Sequence, residues 1–78
     1  MEYNNEIERL TAAIEAAPDD LSLYAERGKM HFRAHDFGSA LNDFNRVLRD
    51  DEQNEEIRQY VKMIHEILEF RYNDIYNP

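Results

Sequence analysis

Two histidines, His31 and His35, stand four residues apart. That spacing puts both imidazoles on one face of a helix. A zinc site takes three or four protein ligands, so this pair supplies half of one. No cysteine and no HExxH motif completes it. Residues 65–69 read HExxE and lack the second histidine of a zinc-protease helix. Asp36-Phe37-Gly38 spells the magnesium-binding triad of a kinase, whose Asp works only inside a glycine-rich loop, a strand lysine and a catalytic loop. A chain of 78 residues cannot hold those parts. The acidic run RDDEQNEE, residues 49–56, has neither the glycine nor the alternating ligands of a calcium loop. Asn42, Asp43 and Asn45 form no loop motif, because they fall within a helical stretch. Ser22 and Ser39 have no histidine placed by pattern to activate them. No enzyme, no metal and no cofactor is expected. An active site assembled from histidines of several subunits ranks last among the readings.

The elements that carry these residues read as four helices. Two glycines, two prolines and no β-branched run leave helix as the default. Ile7, Leu10, Ile14 and Ala17 recur on one stripe, which predicts a first helix over 3–17. Pro18 ends it, because its ring cannot continue the hydrogen-bond ladder. Asp19 or Asp20 then caps a second helix over 21–34, with Tyr24, Gly28 and His31 on one face. His35-Asp36 make a turn. A third helix over 37–50 carries Phe37, Ala40, Leu41, Phe44, Val47 and Leu48. Asp36 is thus its N-cap, and "DFG" is a helix start. Asn54 is the expected cap of the last helix, over 54–72. Its stripe is the longest in the chain: Ile57, Tyr60, Val61, Ile64, Ile67 and Leu68.

Size and charge bound what such a bundle can do. At about 0.05–0.15 kcal/mol per residue, total stability falls near or below about 10 kcal/mol. One small domain, residues 1–78, leaves little room for a catalytic cleft and its supports. The formal charge of −8 opposes a phosphate backbone and anionic lipid, so neither nucleic acid nor membrane is an expected partner. The absence of cysteine and of an apolar leader predicts a cytoplasmic protein.

Residues 24–52, YAERGKMHFRAHDFGSALNDFNRVLRDDE, carry a recognisable pattern. Tyr24 is a large aromatic, Gly28 a small residue four positions on, Ala40 a small residue of the third helix, and Phe44 an aromatic four beyond that. This resembles a tetratricopeptide repeat (TPR), a helix–turn–helix unit of about 34 residues. IEAAPDD, residues 14–20, resembles the end of a preceding repeat, with Ala13 and Pro18 at its small and proline positions. The match departs at Glu52, where the terminal proline is missing, at Val47 and His31, and at Lys62, where the next repeat has glycine. The whole chain, with its ending FRYNDIYNP, also resembles small stand-alone bacterial TPR proteins, which implies that Met1 and Pro78 are natural termini. The resemblance implies an all-α, right-handed α-solenoid fragment, one complete repeat between an N-terminal helix and a long capping helix. A glycine inside a helix costs about 1 kcal/mol against alanine. Gly28 therefore needs a packing reason, and close approach to Ala40 supplies one.

TPR proteins bind peptides along the surface lined by each repeat's first helix, so the resemblance implies a scaffold that binds a protein or peptide. Opposite the core stripe of the second helix lie Ser22, Ala25, Glu26, Lys29, Phe32 and Arg33. Phe32 is expected as an exposed anchor beside Lys29 and Arg33, with packing against the fourth helix as the equal alternative. The lysine–asparagine clamp of the chaperone-tail binders is not implied, since Ala25 and Lys29 stand at its positions. A second surface is the tail, Phe70, Tyr72, Ile75 and Tyr76. Four large side chains so close together fold back on the protein's own helices or dock into a second copy. Self-packing is the expected outcome, and a homodimer is the alternative.

Overall fold

The computed structural model describes residues 2–76, with side-chain surroundings given for residues 3–70. Four helices follow one another: α1 (Glu2–Ala16), α2 (Leu21–Arg33), α3 (Phe37–Asp50) and α4 (Glu55–Tyr76). All elements are helical, as the sequence predicts. Five boundaries differ from expectation, four of them by one residue: α1 runs 2–16 against 3–17, α2 ends at 33 against 34, and α4 starts at 55 against 54. α1 stops at Ala16, and Ala17, expected on its buried stripe, is exposed in the turn that Pro18 forces. α4 continues to Tyr76 instead of ending at 72, since no proline or glycine stands before its end to stop it.

The starts of α2, α3 and α4 each have a side chain that satisfies a free N–H group. Asp20 accepts from the Ser22 amide at 3.1 Å and from the Ser22 hydroxyl at 2.6 Å. Asp36 accepts from the Ser39 amide at 3.3 Å, and Asn54 Oδ1 from the Ile57 amide at 3.1 Å. The α2–α3 turn is a Schellman motif: Asp36 N–H donates to His31 O at 2.9 Å and His35 N–H to Phe32 O at 3.0 Å. Its left-handed position, where glycine is usual, is held by His35 at φ 60°. The ring of His35 stacks on Phe37, centroids 5.8 Å apart.

The core lies between α3 and α4. Phe37, Ala40, Phe44 and Val47 of α3 meet Ile57 and Ile64 of α4, all buried. Tyr24, Ala25 and Phe32 of α2 close one side of this cluster, while Leu10 and Ile14 are the buried side chains of α1. α1 packs on α2, α2 on α3, and α3 on α4. The close approach at Gly28 is to Phe44, a correction to the expected Ala40. A Cβ on Gly28 would stand 2.6 Å from the Phe44 ring. That ring is fully buried and stacked on Tyr60 at 5.0 Å between centroids, so it has nowhere to retreat. Gly28 is glycine because an aromatic ring, rather than a facing helix backbone, occupies the place of its side chain.

Candidate functional site

The packing of Gly28 under Phe44 sets which residues of α2 face outward. Ser22, Glu26, Lys29 and Arg33 follow at steps of four, three and four, so they share one side. Glu26 and Arg33 are exposed. Ser22 is exposed as well, with its hydroxyl engaged by Asp20. The side chain of Lys29 is 23% exposed, and its Nζ lies 2.9 Å from Glu56 Oε1 and 6.0 Å above the Tyr60 ring. Lys29 therefore ties α2 to α4 and is not a free cation.

Phe32 is not the exposed anchor of this side. It is half-buried, edge-on to Phe37 at 5.6 Å and to Tyr60 at 5.2 Å. The rotation of α2 that buries Gly28 under Phe44 carries Phe32, four residues on, inward toward α4. Ala25 is drawn against the core for the same reason. What remains outside is polar, with Arg33 Nη1 4.0 Å from the sulfur of Met30.

Two open clefts flank this polar ridge. One, of about 250 Å³, lies toward α1 and is lined by Glu6, Arg9, Met30 and Arg33. The other, of about 440 Å³, lies toward the α3–α4 turn, with Leu21, Ala25 and Val47 below and Asp51 and Glu56 at its edge. Glu26 and Lys29 border both.

The inner side of α2 carries a polar arrangement that pattern reading missed. Arg27 donates twice to Asp43, at 2.9 and 2.7 Å, and once to Thr11 Oγ1 at 3.2 Å. Asp43 is 4% exposed. A bidentate pair of this kind locks the approach of α2 to α3 and reaches α1 through Thr11. The hydrogen bond to Asp43 raises the Arg27 pKa further, so the guanidinium stays charged. Two opposite charges on the inner faces of adjacent helices were the available signal, but they lie 16 positions apart in the chain. His31 sits beside the same aspartate, Nε2 at 3.9 Å from Asp43 and Nδ1 at 3.7 Å from Asp36. His35 does not join it, being stacked on Phe37. Among the described residues, no group of three or more His, Cys, Asp or Glu side chains stands close enough to hold a metal.

On α4, His65 and Glu66 are exposed, as the stripe predicts. Met63 and Phe70, seven residues apart on one side, are 41% and 71% exposed. The side chains of Tyr72, Ile75 and Tyr76, and with them most of the tail expectation, lie outside the described residues, as do Met1 and Pro78. No helix among the described residues is long and apolar enough to cross a membrane.

No family model matches the chain, and neither a curated protein nor a solved structure is significantly similar to it.

Proposed function

We propose that this chain is a non-enzymatic interaction module, a minimal tetratricopeptide-type helical repeat that binds a peptide or protein segment across the outer side of α2. One observation carries the reading. α2 is packed by its neighbours through Gly28, Phe32 and Arg27, yet its Ser22–Glu26–Arg33 side stays open between two clefts. A rigid helix between two grooves suits a segment laid along or across it. The α2–α3 hairpin, with Gly28 under Phe44 and each helix on the next in chain order, is in keeping with a solenoid fragment.

The experiment is a selection of random displayed peptides on the immobilised full chain, repeated on Glu26→Trp. That substitution puts a large side chain on the ridge between both clefts. It should leave stability within about 0.5 kcal/mol, since Glu26 is exposed and forms no salt bridge among the described residues. Selected peptides should lose binding to the variant. Peptides that bind both proteins equally would remove α2 as the site.

A second reading, self-association through α4, is favoured by the exposure of Met63 and Phe70 on one side of that helix. Light scattering over a dilution series, on the full chain and on Phe70→Ser, tests it. A dimer that dissociates on dilution and is lost in Phe70→Ser supports it, and a monomer at every concentration removes it.

A further inference from the structure

The larger cleft is asymmetric in a way that selects what enters it. Its floor is aliphatic, made by Leu21, Ala25 and Val47. Its edges carry three carboxylates, Glu26, Asp51 and Glu56, against one cation, Lys29. Lys29 is already bound to Glu56. Among the described residues neither Glu26 nor Asp51 forms a salt bridge, although Glu26 also acts electrostatically on Arg9 of α1, and the Asp51 carboxylate accepts from the Asn54 side-chain amide at 3.2 Å. An aliphatic floor under an acidic edge matches a long cationic side chain, whose methylene stem covers apolar surface while its head stays at a wet rim. The protein makes one such contact within itself: the stem of Lys29 is largely covered and its head meets a carboxylate and an aromatic face.

We propose that the segment bound at α2 presents a lysine or arginine to this cleft, its stem over Leu21, Ala25 and Val47 and its charge between Glu26 and Asp51. The proposal rests on the peptide-binding reading above and adds the chemistry of the partner. An acidic or apolar side chain meets repulsion or stranded carboxylates in the same place, so the choice of partner is set by exclusion as much as by attraction. The overall charge of −8 speeds the approach of such a segment without fixing where it lands.

The test uses random displayed peptides of about the length that covers α2 at 1.5 Å of rise per residue. Selected sequences are remade as labelled peptides, and their affinities measured by anisotropy on four proteins: the full chain, Glu26→Trp, Glu26→Gln with Asp51→Asn, and Glu66→Gln with Glu69→Gln. The last two remove equal charge, one pair at the cleft and one on the exposed side of α4. Selected peptides should share a basic residue, and the cleft pair should weaken them by about fivefold to tenfold, the sum of two partly exposed charge contacts. The α4 pair should change affinity by less than about twofold, through screened long-range charge alone. Equal losses from both charge pairs would overturn the proposal, as would a shared sequence without a basic residue that still depends on Glu26→Trp. In either case the peptide-binding reading stands. Peptides indifferent to Glu26→Trp, or none selected, would overturn both.

Discussion

Two residues carry more of this fold than their types suggest. Gly28 is one. Alanine is a better helix former by about 1 kcal/mol, yet its Cβ would stand 2.6 Å from a buried ring. Overpacking of that kind costs about 1–3 kcal/mol, so Gly28→Ala should be destabilising on balance. Urea denaturation should show a lower midpoint, and a midpoint raised by the substitution would mean that Phe44 moves freely. Asp43 is the other. Removing its charge leaves Arg27 partly buried, at 20% side-chain exposure, beside a weaker acceptor. Losing one partner of a buried pair costs about 3–5 kcal/mol, and the partial exposure of Arg27 places Asp43→Ala toward or below the lower figure. Against a small domain's total, even that loss should be visible as unfolding at moderate temperature. The double variant with Arg27→Met should recover part of it, because no stranded charge remains. A double variant less stable than Asp43→Ala would show that the pair contributes mainly through the packing of the arginine stem.

At the scale of elements, the turn between α2 and α3 combines a stop that costs stability with a start that contributes it. His35 holds the left-handed position of a Schellman turn, at φ 60°. Glycine there avoids a steric cost of about 1–2 kcal/mol but forfeits the stack on Phe37. The steric term is the larger, so His35→Gly should raise the melting temperature by a few degrees, and a fall would mean that the ring contact wins. Asp36 begins α3. The hydroxyl hydrogen bond from Ser39 holds its carboxyl below the usual carboxylate pKa, helped by the Ser39 amide and the nearby His31. A depressed folded pKa means that the unfolded chain binds the proton more readily. The stability Asp36 contributes is therefore present above about pH 4 and is lost as pH falls through its folded pKa. Asparagine caps a helix almost as well without titrating. Asp36→Asn should then be the less stable protein at neutral pH, and the difference should close as pH falls through the folded pKa of Asp36. A constant difference across that range would assign the cap to shape alone.

The whole molecule is thin and strongly acidic. Its extents are 48 × 32 × 15 Å, and it carries 17 acidic against 9 basic residues. At low salt the Debye length of about 30 Å at 0.01 M exceeds the 15 Å thickness, so carboxylates on opposite faces of the protein repel one another. At 0.15 M it shrinks to about 8 Å, and only near neighbours interact. Screening also weakens the surface pairs, Arg9–Glu6 and Arg58–Glu55 among them. Such pairs contribute about 0–1 kcal/mol each, whereas the repulsion acts between every pair of the surplus charges. The melting temperature should therefore rise on going from about 0.01 M to about 0.15 M salt. A fall would show that the ion pairs outweigh the net charge.

The helices were legible in the sequence because their causes are local. Apolar residues recurring at helical spacing, Pro18 after α1, and Asp20, Asp36 and Asn54 at the starts each act through neighbours a few positions away. Even the kinase-like tripeptide resolved into a cap and the start of a stripe on that basis. The stop of α4 was misplaced because nothing in the chain marks it before Tyr76. The outer side of α2 was legible in part: Ser22, Glu26 and Arg33 are exposed as the helical wheel places them. Phe32 takes the second of its two expected places, packed against α4 at Tyr60, whereas Lys29 was not legible, because Glu56 of α4 claims it. The same holds for Gly28, whose glycine marked a close approach but not the ring that makes it, and for Asp43, whose partner lies a full helix away. Periodicity states which side of a helix is apolar. How far that helix turns against its neighbours is decided by the largest rings in the core, Phe44 and Tyr60 here, and that rotation alone chose which side chains were left for a partner.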